Sequence, residues 1–293
     1  VTVTIVDSTT LPWVNGQDVY DSMEPAFRDN FGGDPEQVRD LLSRYWMRSL
    51  WLDRASTRRI DHVRAVPGYR DLSEAYHDSV EESYFLGGVA ELSAEGRLVE
   101  GDYFWRPPGW VHKAWSDEGF ENILCMEGEV ASEHSGRVSR VVCADDRAGA
   151  QARDSADGGI GPRGYQRRVE SRFVPWTPLD APWSGVDAVV LGLPAASGGA
   201  WSTTGEAVPL GKPLSHNVAT GACSALVRLP AGYTGAPTPV PRERFLVTTR
   251  GDLVVDGVTL TPCSLLHVPA DAPAPTLTAT TDVELFVKVG ERA

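Results

Sequence analysis

The chain has no Cys-x-x-Cys pair, no run of eighteen apolar residues, no Asn-x-Ser/Thr sequon and a shortage of positive charge. Its four cysteines, Cys125, Cys143, Cys223 and Cys263, lie far apart, which excludes a disulfide-dense secreted scaffold and suits reduced thiols. Without a long apolar run there is no expected membrane span, and the apolar start at residues 1–6 lacks the length and basic flank of a signal peptide. A cytoplasmic location is the default expectation. With 27 Lys plus Arg against 40 Asp plus Glu, the net charge of -13 repels phosphate backbones and anionic lipid alike, so neither nucleic acid nor membrane is an expected partner.

What is present is turn-rich. The 293 residues carry 29 Gly and 21 Pro, which favours many short elements over long helices. One helix signal stands out at Asp34-Pro35-Glu36-Gln37, with a cap, a first-turn proline, and apolar residues at Val38, Leu41, Leu42, Tyr45, Trp46 and Leu50; the spacing predicts a helix over 34–52. From Arg58 onward the period changes to two, and short strands separated by Gly, Pro and charged turns follow, an all-β pattern. Periodicity is lost over 144–164, which reads as a linker or long surface loop. Within it Gly159-x-Gly161-x-x-Gly164 matches a dinucleotide fingerprint without the strand and helix that would make it one.

Beyond the linker the pattern starts again. Val174-Pro175-Trp176 echoes Leu11-Pro12-Trp13, residues 227–233 echo 63–69, and Arg244 onward echoes Glu81 onward, all at an offset of 163 or 164 residues. The common order points to an internal duplication and to two β domains, 1–150 and 165–293, with the helix added to the first.

Chemistry concentrates in the first of these. His77 to Gly88 and Gly101 to His112 bring two imidazoles and a choice of carboxylates, the ordinary ligands of a divalent metal with open positions. Strand alternation sets Glu81, Ser83 and Phe85 on one face and Glu82, Tyr84 and Leu86 on the other, so only one of the adjacent glutamates faces an interior.

These residues resemble the cupin motifs. Gly101, five residues, Pro107-x-Gly109, two residues and His112 match the second motif, while His77, three residues, Glu81, six residues and Gly88 match the first. Together with the repeat, the chain is similar to a two-domain cupin. That resemblance implies two jelly-roll barrels and a metal held by His77, Glu81 and His112, one divalent transition metal with Fe(II) favoured and Zn(II), Mn(II) or Ni(II) as alternatives. Two positions depart from the pattern: Ala75 stands where the first histidine of His-x-His belongs, and Ser116 where an asparagine is expected. His62 is the replacement ligand if its strand face points inward. In the second domain Arg244, Cys263, Asp271 and Ala274 stand at motif positions, so no metal set is expected there, although His267 is placed to meet a ligand.

The resemblance implies a small-molecule enzyme, narrowly an iron oxygenase, with a non-redox isomerase, cyclase, lyase or decarboxylase as the alternative and a noncatalytic sensor as the second class. Glu82 and Tyr84 are the expected proton-transfer residues. Tyr103, Trp105, Arg106 and Trp110 are the expected substrate contacts, Arg106 toward a carboxylate and the aromatics toward an apolar or aromatic body. A homodimer is the expected assembly.

Overall fold

The computed structural model describes residues 2–28, 31, 34–56, 58–77, 79–107, 110–128, 140–141, 166–181, 188–197, 199–217, 221–273 and 275–290. The linker expected at 144–164 lies outside them, as do Pro108, Gly109 and Ala274. Strands dominate, with a few short helices up to Ser43 and between Ser171 and Ser197.

Two compact units form, Pro12–Glu170 and a second made of Val1–Leu11 with Ser171–Glu291. This division departs from sequence order at both ends. Thr4–Val6 pairs antiparallel with Leu265–Val268, Thr4 opposite His267, and so belongs to the C-terminal unit. Ser8 strengthens the attachment, its amide donating to Ser264 Oγ at 3.1 Å. Conversely, Gln166–Glu170 pairs with Asp102–Arg106 and extends the first unit's sheet. In each case a sheet edge with unsatisfied backbone groups captures a segment from across the chain.

In the unit Pro12–Glu170 the main sheet runs Gln166–Glu170, Asp102–Arg106, Ser79–Leu92, Phe120–Gly128, Arg59–Ala65, Tyr45–Leu52, Val14–Asn15, with every pairing antiparallel. Ser79–Leu92 is long enough to serve two sheets. Its first half pairs with Phe120–Gly128, and its second half with Gly96–Val99 and Ala114–Ser116. The corner falls at Gly88, whose φ of 75° is left-handed and where any Cβ would collide with the Gly119 carbonyl. Apolar residues fill the space between the two sheets: Val63, Phe85, Leu92, Phe104, Phe120 and Met126 all contribute. Each such side chain contributes about 1.5–3 kcal/mol on burial.

The expected helix over 34–52 is shorter. It spans Pro35–Ser43, with the Asp34 carboxylate accepting from the Glu36 amide, and Arg44 ends it. Tyr45–Leu52 is a strand paired with Arg59–Ala65. The apolar residues at 41, 42, 45 and 46 satisfy a helical stripe, but Tyr45 and Met47 also alternate onto the core side, and aromatic residues beside an open sheet edge favour the strand.

The other unit has a seven-stranded sheet, in order Thr4–Val6, Leu265–Val268, Arg244–Arg250, Val283–Val289, Cys223–Leu229, Leu210–His216, Thr177–Pro178, and a separate five-stranded sheet. Leu246, Val227 and Val287 from the first pack with Leu253 and Leu277 from the second in one core.

Candidate metal centre

Three elements deliver the candidate ligands. Glu81 is the third residue of Ser79–Leu92 and pairs with Arg106 and Met126 on the neighbouring strands. His77 lies just before that strand. His112 is held by an isolated bridge to Ala75, with Ala75 N donating to His112 O and His112 N donating to Ala75 O, both at 2.9 Å. The preceding hairpin is set by Gly101, whose φ of 84° suits glycine, and by Asp102, whose carboxylate accepts from Val99 N at 3.1 Å.

One ligand atom from each of His77, Glu81 and His112 lies within 4.8 Å of the others. The Nε2 atoms of His77 and His112 each stand 3.7 Å from Glu81 Oε2. Metal–ligand bonds of about 2.0–2.2 Å would need only a small contraction of this set. His112 Nδ1 lies 2.9 Å from the Trp110 carbonyl. Because that carbonyl only accepts, the Nδ1 proton is fixed and the Nε2 lone pair faces the cluster, an outer bond that orients a metal-ligating imidazole.

Electrostatics keep the ligands in the required states. Burial raises the Glu81 carboxyl, but the charge and hydrogen bond of the Arg106 guanidinium lead the interactions that outweigh it and hold it at about 2. Burial, reinforced by Arg106, pushes His112 down to about 3, so its imidazole is neutral at neutral pH. Arg106 donates from Nη1 to Glu81 Oε2 at 2.7 Å, and from Nε and Nη2 to the two oxygens of Glu95 at 2.8 and 2.7 Å.

The triad opens on a cavity of about 290 Å³ between the two sheets. Phe85, Phe104, Phe120 and Tyr69 supply aromatic lining, Val38 and Leu41 of the short helix close one side, and Asn122 and Asp71 add polar groups. Asp71 accepts from the Tyr69 hydroxyl and the Ala114 amide, both at 2.7 Å, while burial raises its carboxyl above the ordinary range.

Several expected site residues lie elsewhere. Glu82, Tyr84, Tyr103 and Trp105 share the opposite face of the sheet, with Glu82 beside Trp105 and Tyr84 beside Tyr103 across the strands, and none lines the cavity. Glu82 instead accepts a 2.6 Å bond from the Tyr103 hydroxyl. His62 alternates to that outer side too, against Trp13 and 3.2 Å from Glu121, and does not join the ligands. Arg106 does line the cavity, but Nη1, Nε and Nη2 are engaged by protein carboxylates rather than held for a substrate. Trp110 contributes its carbonyl to His112 and is not part of the lining. Sequence reasoning missed Glu95, Asp71, Tyr69 and Asn122. Only Tyr69 carried a signal, as part of the Gly-Tyr pair repeated at Gly232-Tyr233.

No family model matches the chain. No curated protein matches it either. Solved structures do. A candidate dioxygenase from Nostoc punctiforme covers 99% of this chain and 83% of its own, at 14% identity and a TM-score of 0.64. Quercetin 2,3-dioxygenase from Acinetobacter baumannii covers 98% and 85%, at 11% identity and TM-score 0.53. Oxalate decarboxylase from Lactobacillus farciminis, in a formate complex, covers 85% and 82%, at 13% identity and TM-score 0.53. The chain shares the fold of these structures. At these identities the likeness extends to the fold alone, and the chemistry rests on the chain's own residues. Among the described residues, His77, Glu81 and His112 are the single group of three placed to hold a metal. In the other unit His267 Nε2 sits 2.7 Å from Glu243, and Arg244, at the position expected to correspond to Glu81, is wholly buried.

Proposed function

We propose that the protein is a bicupin enzyme of small-molecule metabolism, with one divalent metal held by His77, Glu81 and His112 in the unit Pro12–Glu170. The observation that carries the reading is the convergence of two imidazoles and an ionised carboxylate within 4.8 Å at the end of an apolar, aromatic-lined cavity. The donor set fits the metal: a neutral His112 with its proton directed to a backbone carbonyl, and a carboxylate kept charged by a neighbouring guanidinium. Three protein ligands suit an open catalytic centre better than a closed structural one. Fe(II) is the favoured ion, with Zn(II), Mn(II) or Ni(II) accepted by the same donors. Such a metal supplies oxygen activation if it is iron and carbonyl polarisation otherwise.

The chain's own residues do the rest. Phe85, Phe104 and Phe120 hold an apolar or aromatic substrate and exclude water, and Asn122 offers a polar contact to orient it. The Tyr69 hydroxyl and Asp71 form a hydrogen-bonded pair in the cavity wall that holds a proton on Tyr69 Oη, a better placed donor than Glu82 or Tyr84. An oxygenase is narrowly preferred. Likeness to an oxalate decarboxylase alongside two proteins named as dioxygenases keeps non-redox chemistry as the second reading.

Metal analysis of protein purified without added ions should give about one ion per chain, lost in His112→Ala. Oxygen uptake with a panel of aromatic substrates then separates the two chemistries. Stoichiometric metal unchanged by His112→Ala, or localised to the other unit, overturns the assignment.

A further inference from the structure

A buried guanidinium in the second unit is arranged like a receptor. Arg244 opens the strand Arg244–Arg250, pairs with Val268 and Val289, and is 0% exposed. Its Nη1 donates to the Thr238 carbonyl at 2.9 Å. Nε and Nη2 are buried and have no hydrogen-bond partner among the described residues. Burial drives its ionisation down to about 10, which still leaves the group charged at neutral pH. A buried cation without a counter-ion is costly unless something supplies the missing charge.

The surroundings fix the guanidinium rather than merely tolerate it. Thr238 N donates to Gly192 O at 2.5 Å, and this crossing covers the Nη1 side. Gly192 has φ 62°, and a Cβ there would run into Nη1, so only glycine leaves the arginine its place. Close by in the chain, Gly235 lies against the Tyr233 hydroxyl, itself buried and without a hydrogen-bond partner among the described residues. Two polar side chains of this unit thus keep donors unmet in its interior.

The partner chemistry can be read from the same protein. Arg106 uses its Nε and Nη2 edge to grip both oxygens of Glu95, at 2.8 and 2.7 Å, while its Nη1 bonds elsewhere. Arg244 has its Nη1 engaged and presents the same Nε and Nη2 edge. We infer that the unit formed by Val1–Leu11 and Ser171–Glu291 contains a second ligand site, in which the Nε and Nη2 edge of Arg244 binds the carboxylate of a small monoanionic molecule. A carboxylate matches the planar fork with two parallel bonds, whereas chloride offers one point of contact. A single negative charge neutralises the single guanidinium; a phosphate dianion would bury a surplus.

The test uses full-length protein stripped of metal with EDTA and titrated with sodium acetate and sodium benzoate, against sodium chloride and sodium phosphate at matched ionic strength. Acetate or benzoate should raise the thermal midpoint saturably, on the order of 5 °C at a hundredfold excess over Kd. His112→Ala, which disables the other unit's metal cluster, should respond as wild type does. Arg244→Met should abolish the response. Arg244→Lys, which keeps the charge but not the fork, should bind at least about tenfold more weakly by isothermal titration. No saturable response in wild type, an equal response to chloride or phosphate, or full affinity in Arg244→Lys overturns the site. Failure confined to His112→Ala would assign the carboxylate to the first unit and overturn it as well.

Discussion

Replacing Arg106 with methionine should make the protein less stable and, at the same time, a better metal binder. The guanidinium is 2% exposed and bridges Glu81 to Glu95. Without it two buried carboxylates face one another with no cation between them, and breaking a buried pair from one side costs about 3–5 kcal/mol. With a urea slope near 2 kcal/mol/M, the midpoint of the metal-free protein falls by roughly 2 M. Metal binding moves the other way because both cations seek one atom. Nη1 lies 2.7 Å from Glu81 Oε2. An ion about 2 Å from the same oxygen would stand within about 5 Å of the guanidinium, a repulsion on the order of 7 kcal/mol at an effective dielectric of 20, most of it offset in wild type by Glu95. A gain of at least tenfold in affinity, measured by chelator competition, is therefore expected. Arg106→Met with Glu95→Gln removes both charges and should recover most of the stability while giving up much of the affinity gain. Weaker metal binding in Arg106→Met than in wild type, or metal-free stability within about 1 kcal/mol of wild type, would refute this account of the centre.

Glu81→Gln should strip the metal while Glu82→Gln leaves the content unchanged, because Glu82 faces the Tyr103 hydroxyl on the other side of the sheet; equal losses by elemental analysis would contradict that geometry. Ala75→His should tighten metal retention and slow turnover at saturating metal, since the new imidazole would take a position needed by reactants; faster turnover would count against an open site. In EDTA, stability should fall by about 1.4 kcal/mol per pH unit as pH drops below 6.5, because the unfolded chain protonates His112 there while the folded chain, with His112 at about 3, does not. His112→Gln should flatten that slope in urea titrations between pH 4 and 6. Gly88→Ala should destabilise by about 2–4 kcal/mol, seen in the urea midpoint, since its backbone is left-handed and its Cβ has no room.

The convergence of His77, Glu81 and His112 was legible because strand spacing and motif spacing agree: His77 and Glu81 sit four apart at the mouth of one strand, and alternation separates Glu81 from Glu82. The facing of Asp102–Arg106 was not, since nothing in Tyr103-Phe104-Trp105 says which of three aromatics turns inward. Phe104 does, alongside Arg106, and its two neighbours turn away. Glu95 was hidden for a different reason: it lies outside both motifs, yet its carboxylate is fully buried against Arg106. The end of the helix was hidden by a coincidence of periods at Tyr45, which satisfies both a three-four stripe and an alternation. Pairing of Thr4–Val6 with Leu265–Val268 had no local trace at all, because three residues of a short strand carry no address for a partner so distant.

That pairing has a consequence for how the chain is made. Thr4–Val6 leaves the ribosome well ahead of Leu265–Val268, and Thr4 waits about 260 residues for His267. At 5–20 residues per second the delay is roughly 13–50 s. Throughout it the unit Pro12–Glu170 can complete itself once Gln166–Glu170 has emerged. The other unit cannot, since it needs both Thr4–Val6 and Val283–Val289. Order of synthesis and order of assembly are thereby uncoupled, and the half that holds Thr4–Val6 is the half that closes last.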